Sequence, residues 1–420
     1  MTSHSTKRAE PASCKNILIS GASVAGPALA FWLHRFGFSP TVVERSSELR
    51  GGGYAVDFRG AVHLGVLERM GILDEIRHHQ TNLSALTYVD HDDRPLATMP
   101  GEIFAGDVEI LRGDLGRILH DATRHGTEYL FGDSIEALEQ HDDGVQVTFE
   151  RSAPRTFDLV VGADGLHSNV RQLAFGDNPG VVRDLGLYVS TFGTTNFLDL
   201  DRAGVLYSTP GKTASIYSAR DNTEAIAMLY FNSPALDYDY RDIRRQKEIL
   251  AETFAEEGWH IPELLRQMRQ APDFYFDSTN QLHLERWCRG RVALIGDAGY
   301  AAGQGGNGTG KAVVAAYILA GELAAADGDH SAAFARYELL LRDYVAGGQK
   351  QAAGAPAFLA PATWKKIRRR NRLLKMLAYM PAKGLMRYVS TRTATAITLP
   401  DYSPAPSRGS FREDSADIRP

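Results

Sequence analysis

Residues 16–26 read Asn-Ile-Leu-Ile-Ser-Gly-Ala-Ser-Val-Ala-Gly, and this stretch decides the fold. Asn16 to Ser20 is a short, branched-rich apolar run that stops at Gly21, the pattern of a buried parallel strand entering a turn. Val24 to Gly37 then carries a helical apolar rhythm, closed by Gly37. Pro27 fits because it falls in the first helical turn. Thr41 to Glu44 is a second strand. Strand, helix and strand within about thirty residues make a βαβ unit.

The turn itself, Gly21-Ala22-Ser23-Val24-Ala25-Gly26, is a variant of the dinucleotide fingerprint G-x-G-x-x-G. Gly21 permits the tight turn and Gly26 allows close helix–strand packing. Ser23 stands where the middle glycine would be, small enough for a pyrophosphate to approach the backbone. The helix start offers free N–H groups and a positive dipole end to phosphates. Glu44, with Arg45 beside it, closes the second strand, where a carboxylate can accept hydrogen bonds from an adenosine ribose. The fingerprint alone does not choose between NAD and FAD.

Two later motifs choose FAD. One runs Asp158-Leu159-Val160-Val161-Gly162-Ala163-Asp164-Gly165, followed by Ser168 and Arg171. The other runs Gly290-Arg291-Val292-Ala293-Leu294-Ile295-Gly296-Asp297-Ala298. In the second, a buried strand delivers Gly296 and Asp297 to the carboxyl edge of the sheet, where ligands sit. Glycine admits a cofactor closely, and the carboxylate can accept from the ribityl hydroxyls that only a flavin has. A long helix expected to start near Thr309 aims its positive end at the pyrimidine side of a flavin ring, favouring the negative charge of the reduced form.

These three motifs, in this order, resemble the class A flavoprotein monooxygenases, the family of para-hydroxybenzoate hydroxylase and the tetracycline-inactivating hydroxylases, over roughly residues 15–400. The resemblance implies an α/β fold: a Rossmann-like FAD-binding domain of the para-hydroxybenzoate hydroxylase type, with an inserted, mostly antiparallel β-sheet substrate domain and a helical C-terminal region. It implies non-covalent FAD, with Gly21, Ala22, Ser23, Val24, Ala25, Gly26, Glu44 and Arg45 on the ADP half. It places Asp164 and Gly165 at a motif serving both FAD and transient NAD(P)H, and Gly296 and Asp297 on the ribityl chain. Arg112, in Ile110-Leu111-Arg112-Gly113-Asp114-Leu115, resembles the family's R-x-x-L arginine; its other reading is a charge at a helix start. A single dinucleotide fingerprint fits a family in which NAD(P)H binds transiently, reduces the flavin and leaves. Oxygen then gives a flavin hydroperoxide that hydroxylates an activated aromatic ring, while the protein positions, excludes water and stabilises charge. One departure stands out. Relatives carry a proline after Gly-Asp-Ala, whereas this chain reads Gly299-Tyr300-Ala301-Ala302-Gly303-Gln304-Gly305-Gly306-Asn307-Gly308-Thr309-Gly310. Gly306, Asn307 and Gly308 can still open the long helix, but so many glycines predict a loose loop. Gly51-Gly52-Gly53 either cradles the dimethylbenzene edge of the flavin or is simply a flexible loop.

The remaining sequence is organised around these motifs. The FAD-binding domain is expected from residues 15–78, 103–182 and 277–345, interleaved with a substrate domain of 79–102 and 183–276. A helical region of 346–400 follows, and 1–14 and 401–420 read as tails. Leu64 to Ile76 and Asp114 to His125 read as helices, the second capped by Asp114. Gly144 to Phe149 alternates as an edge strand. From Leu185 to Asn232 short β-rich runs alternate with turn residues, the mark of an antiparallel sheet; Tyr188, Phe192 and Tyr217 are its candidate pocket aromatics.

Several function classes drop out. A net charge of -5 gives no general attraction to nucleic acid. Two cysteines, Cys14 and Cys288, exclude a disulfide framework or Cys-rich metal site, and nothing in them argues against a cytoplasmic protein. No H-E-x-x-H, Ser-nucleophile elbow or P-loop occurs. The basic run from Lys365 to Lys375 can be a membrane-surface helix, but reads better as the solvated face of a packed one. The expected activity is an FAD monooxygenase using NAD(P)H and O₂ on an aromatic or polyketide-like small molecule. The rivals are an oxidase or redox-neutral catalyst on the same scaffold, and a non-catalytic binder of flavin or an aromatic ligand.

Overall fold

A computed structural model describes residues 15–49, 51–176, 181–379 and 391–402. The run Asn16–Ser20 forms the strand its apolar pattern predicts, inside a sheet of six. The spatial order is Cys288–Arg289, Val292–Leu294, Leu159–Gly162, Asn16–Ser20, Ser39–Glu44 and Glu128–Phe131. All neighbours are parallel except the first pair. Ile17, Leu18 and Ile19 are fully buried, as continuous apolar strands of parallel sheets must be. Helices Ala25–Arg35 and Gly308–Ala325 pack on one another, with the Trp32 and Tyr317 rings 4.8 Å apart.

Four of these strands carry the sequence motifs. Val292–Leu294, Leu159–Gly162, Asn16–Ser20 and Ser39–Glu44 are consecutive in the sheet and parallel, so their carboxyl ends share one edge. Ser20 and Leu294, far apart in the sequence, are thereby gathered at a single rim by strand direction alone.

A second sheet of seven strands runs Tyr275–Leu282, Val182–Thr194, Glu224–Asn232, Lys212–Ala219, Ala203–Thr209, Ala85–Val89 and Pro95–Pro100. It is antiparallel apart from one parallel pair, Ala203–Thr209 with Ala85–Val89. The boundary drawn at 276 from sequence falls inside its first strand. Alternation splits this sheet into two faces. Tyr188, Phe192, Leu229 and Phe231 pack with Leu250 and Leu264 of helices Ile243–Thr253 and Ile261–Gln270. Tyr217, Met228 and Tyr230 point the other way, towards Tyr54, Ala55 and Leu111. Of the three candidate pocket aromatics, therefore, Tyr188 and Phe192 belong to the helix-covered face, and only Tyr217 faces the other way, towards the two-stranded sheet of Ala55–Phe58 and Val108–Leu111, where its hydroxyl accepts from the Ala55 N–H.

Three local expectations change. The helix expected to begin at Asp114 spans Arg112–Thr123 with Leu111 as its N-cap. Asp114 lies in its first turn, where its carboxylate binds Arg117 at 2.6 Å and Arg220 at 3.4 Å, so ion pairs rather than capping fix it. Val145–Phe149 is the middle strand of a three-stranded sheet, between Ile135–Gln140 and Arg155–Phe157, not an edge. Tyr402, assigned from sequence to a tail, donates its hydroxyl to Glu322 at 2.7 Å and packs on Tyr317. The expected tails at 1–14 and 403–420 lie outside the described residues.

The basic run lies on helix Trp364–Tyr379. Ile367, Arg370 and Leu374 share its buried side, while Lys365, Lys366, Arg368, Arg369, Arg372 and Lys375 are exposed. Among the described residues, no helix is long and apolar enough to cross a membrane.

Candidate active site

The rim of the six-stranded sheet is built for close approach. Gly21 turns with φ of 108°, and a Cβ there would meet the Ala163 carbonyl oxygen at 2.6 Å. A Cβ on Gly26 would lie 1.9 Å from the Gly21 carbonyl oxygen, so helix Ala25–Arg35 can seat on the turn only through glycine. Ala22, Val24 and Ala25 form the rest of the turn and helix entry. The hydroxyl of Ser23 has its own use, accepting hydrogen bonds from Arg112 Nε at 3.2 Å and Nη2 at 3.0 Å. Arg112 is thus drawn to the fingerprint from another part of the chain.

Glu44 stands beside this turn. Its carboxylate accepts from the Ala22 N–H and the Ser46 N–H, each at 2.9 Å. Arg45 is exposed. Asp164 is committed to structure on its own side of the rim: it takes hydrogen bonds from Ser168 Oγ at 2.5 Å, Asn169 N–H at 2.9 Å and Val170 N–H at 3.1 Å. Burial lifts its carboxyl above the usual range, while those donors pull it down. It anchors the start of helix Asn169–Phe175, and Gly165 follows with φ of 82° and open space at its Cβ position.

Asp297 behaves differently. It follows Gly296, which turns with φ of 64°, and it hydrogen-bonds to no described residue. The open rim leaves its side chain reachable by solvent, yet the protein packed around it strips the carboxylate of hydration, and in that sense it is buried. A Cβ on Gly308, the first residue of helix Gly308–Ala325, would lie 3.5 Å from Asp297 Oδ1, which places the carboxylate against that helix start. Burial raises its carboxyl, with Arg112 opposing the shift. A free acceptor at the rim, between a cation and a helix N-terminus, fits a polyhydroxyl chain.

Sequence reasoning missed the far wall. Tyr54 lies with its ring under Arg112, 5.9 Å from ring centre to guanidinium, and 6.1 Å from the ring of Tyr275. Burial raises both phenols, and Arg112 and Asp297 act on both. Tyr54 follows the triple glycine. Tyr275 and Asp277 share one side of strand Tyr275–Leu282, a spacing of two that was the available signal. Gly52 is not free: a Cβ there would meet Asp273 Oδ2 at 2.5 Å, and its carbonyl accepts from the Gly113 N–H at 2.9 Å.

The glycine-rich loop is similarly held. A Cβ on Gly306 would lie 2.5 Å from that of Ala302, and one on Gly310 would lie 2.2 Å from the His63 ring. Asn307 takes the left-handed conformation with φ of 57° as N-cap of the long helix. Gln351 Nε2 donates to the Gly305 carbonyl at 2.7 Å. Close packing accounts for Gly306 and Gly310, which the sequence reading had assigned to looseness.

A surface cavity of about 460 Å³ lies elsewhere, at the amino ends of the strands beside Asn16, Ser39 and Thr41. Ligands of such sheets sit at the carboxyl ends, so the chemistry belongs to the rim.

A family model described as an FAD binding domain matches residues 15–340. A flavin-dependent monooxygenase from an unknown prokaryotic organism is 41% identical over 396 residues, 92% of this chain and 99% of that protein. The crystal structures of the tetracycline destructases Tet(51) and Tet(55) superpose with TM-scores of 0.81 and 0.79, at 35% and 39% identity, covering 93% of this chain and 100% and 99% of theirs. The chain belongs to the FAD-binding family of class A flavoprotein monooxygenases. It is an FAD-dependent monooxygenase, with the Rossmann-like fold and inserted sheet of the para-hydroxybenzoate hydroxylase type.

Proposed function

We propose that this enzyme uses NAD(P)H and O₂ to hydroxylate an aromatic or polyketide-like small molecule held between the rim and the tyrosine wall. The observation that carries this reading is Asp297: a carboxylate without a hydrogen-bond partner among the described residues, at the start of a long helix and facing Arg112, Tyr54 and Tyr275.

FAD, when bound, supplies reduction by nicotinamide and activation of oxygen. The protein does the rest. Gly21, Ala22, Ser23, Val24, Ala25 and Gly26 give the pyrophosphate a close backbone and a helix start. Glu44, with Arg45 at its side, takes the adenosine ribose. Asp297 accepts from the ribityl hydroxyls, beside Gly296. Gly306, Asn307 and Gly308 bring the positive end of helix Gly308–Ala325 to the flavin pyrimidine, where negative charge is favoured. Arg112, tied to Ser23, spans both cofactor halves. Asp164 and Gly165 shape the turn between them. Tyr54, Tyr275 and Tyr217 present flat, apolar bodies with polar tips, suited to a hydroxylated ring system.

Two relatives of known structure are tetracycline destructases, so tetracycline is the first substrate to offer. The FAD-loaded protein should consume NADPH faster when tetracycline is added, and labelled O₂ should place one labelled oxygen atom in the product. NADPH consumption that no polyketide or phenol accelerates, or product free of label, overturns the reading.

A further inference from the structure

Helix Trp364–Tyr379 carries seven cations and no acid, in a chain whose net charge is -5. One side of it is fixed to the seven-stranded sheet. Ile367 and Leu374 are buried there, Leu374 in one apolar cluster with Tyr88, Ala97 and Met99. The buried guanidinium of Arg370 lies over the Tyr88 ring at 4.0 Å. It donates to Ser208 Oγ and to the Phe358 carbonyl, each at 2.9 Å. A helix anchored in this way keeps its shape whatever meets its outer side.

At about 100° per residue, Ile367, Arg370, Asn371 and Leu374 fall in one sector, which is the buried one. The opposite face turns about 200° of the helix outward. Lys365, Lys366, Arg368, Arg369, Arg372 and Lys375 stand on it, exposed. None of these six side chains meets an acid or a hydrogen-bond acceptor among the described residues. Interspersed with them are Trp364, Leu373 and Met376, each more than half exposed. Eight large apolar side chains are exposed among the described residues, and three of the eight sit on this one basic face. Solvation accounts for the cations. It does not account for the apolar three, which water alone gives no reason to gather there.

We propose that the outer face of helix Trp364–Tyr379 docks the enzyme on an anionic membrane surface. The helix lies in the plane of the headgroups and does not cross. Lipid phosphates and carboxylates meet the six cations, while Trp364, Leu373 and Met376 enter the boundary between headgroups and acyl chains. Charge complementarity selects this occupant. A second copy of the chain would bring six further cations against the first six. A nucleic acid would answer the cations and leave Leu373 and Met376 with nothing apolar to enter. A lipid surface answers both. The helix is already folded and anchored through Ile367, Arg370 and Leu374, so docking costs little ordering of its backbone. The seven-stranded sheet, on which the helix packs, is the part brought nearest the lipid.

The full chain loaded with FAD is mixed with vesicles of phosphatidylcholine, alone or with phosphatidylserine, and floated on a density gradient. The parent should rise with the phosphatidylserine vesicles in dilute salt, stay behind with phosphatidylcholine, and be released by concentrated salt. Each cation at an anionic surface is worth about fivefold in binding, so Arg368→Gln with Arg372→Gln should weaken it about twenty-five-fold. Arg368→Lys with Arg372→Lys should preserve it. Trp364→Ala should weaken it about tenfold through lost apolar burial. These side chains are exposed, so the fold should tolerate the changes and FAD retention should stay as in the parent. A parent that does not float, flotation indifferent to phosphatidylserine, or a glutamine pair that floats like the parent would each overturn the proposal. Binding to heparin as tight as to vesicles and untouched by Trp364→Ala would assign the face to a soluble polyanion instead. A dimer in light scattering that Trp364→Ala breaks would assign it to a second copy, and overturn the proposal equally.

Discussion

The rim of the six-stranded sheet and the wall of the seven-stranded sheet face the same space, yet they are written in different ways. The rim is backbone chemistry. Gly21, Gly26 and Gly296 are there because a Cβ would strike a neighbour or because the turn needs positive φ. The wall is side-chain chemistry: Tyr217, Tyr275 and Asp277, with Tyr54 packed against them from outside that sheet, act through what they present. A backbone constraint admits one residue type and leaves a mark in sequence. A side-chain wall admits many, and its marks depend on which face of a strand is turned inward.

That contrast yields its largest test in stability. Gly26→Ala puts a methyl 1.9 Å from the Gly21 carbonyl oxygen, and neither backbone can yield without moving a central strand. The expected cost is about 3 kcal/mol, the upper part of the overpacking range. On the wall, Tyr275→Phe removes one long hydrogen bond and should cost about 1 kcal/mol. Urea unfolding of the two variants reads both, as shifts in midpoint at constant slope. Comparable losses would mean that the rim is no more constrained than the wall.

The same contrast explains what was legible in sequence. Asn16–Ser20, the Gly21–Gly26 turn and the turn at Gly296 could be read because strand and turn together fix residue type. Their convergence followed from parallel strands sharing one carboxyl edge. The fold class was legible for that reason. Tyr188 and Phe192 were misplaced because a β-rich run shows alternation but not which side meets the cofactor. Asp114 looked like a cap because its partner Arg220 lies 106 residues away. Arg112 was reached through the family pattern. Its bond to Ser23 was not, since the serine reads only as a small substitute for glycine.

A middle-sized effect separates holding the cofactor from holding the fold. Asp297→Ala should weaken FAD retention by about 1.5–3 kcal/mol, one hydrogen bond to a charged acceptor. The cofactor-free fold should not suffer. Burial raises the Asp297 carboxyl, and a raised acid lends stability that is full below its unfolded value and is lost as pH rises through its folded one. Above that point the ionised group burdens the fold, so the alanine variant should melt no lower than the parent without FAD, and lower only with it. Equal FAD affinity in the two proteins, read by flavin fluorescence on dilution, would remove Asp297 from the site.

The smallest effect concerns the loop where the two sheets and the long helix meet. Read as sequence, five glycines between Gly303 and Gly310 predict slack, poor exclusion of water and leakage of reducing equivalents to hydrogen peroxide. The fold offers a different account for most of them. Gly306 abuts Ala302, Gly310 abuts His63, and Gly303 turns with φ of 81° against Leu185. Gly305 is the position with room, its nearest neighbour at 3.9 Å, and it too has positive φ. Asparagine tolerates that conformation better than other residues with a Cβ. Gly305→Asn narrows the unfolded ensemble at one residue while leaving the Gln351 bond to the carbonyl in place. If packing already holds the loop, stability should change by no more than about 0.5 kcal/mol. The ratio of hydroxylated product to NADPH consumed should then match the parent. A clear rise in that ratio would show that the loop is slack after all, and that chain freedom at Gly305, not the fit of Gly306 and Gly310, governs how well the site keeps water out.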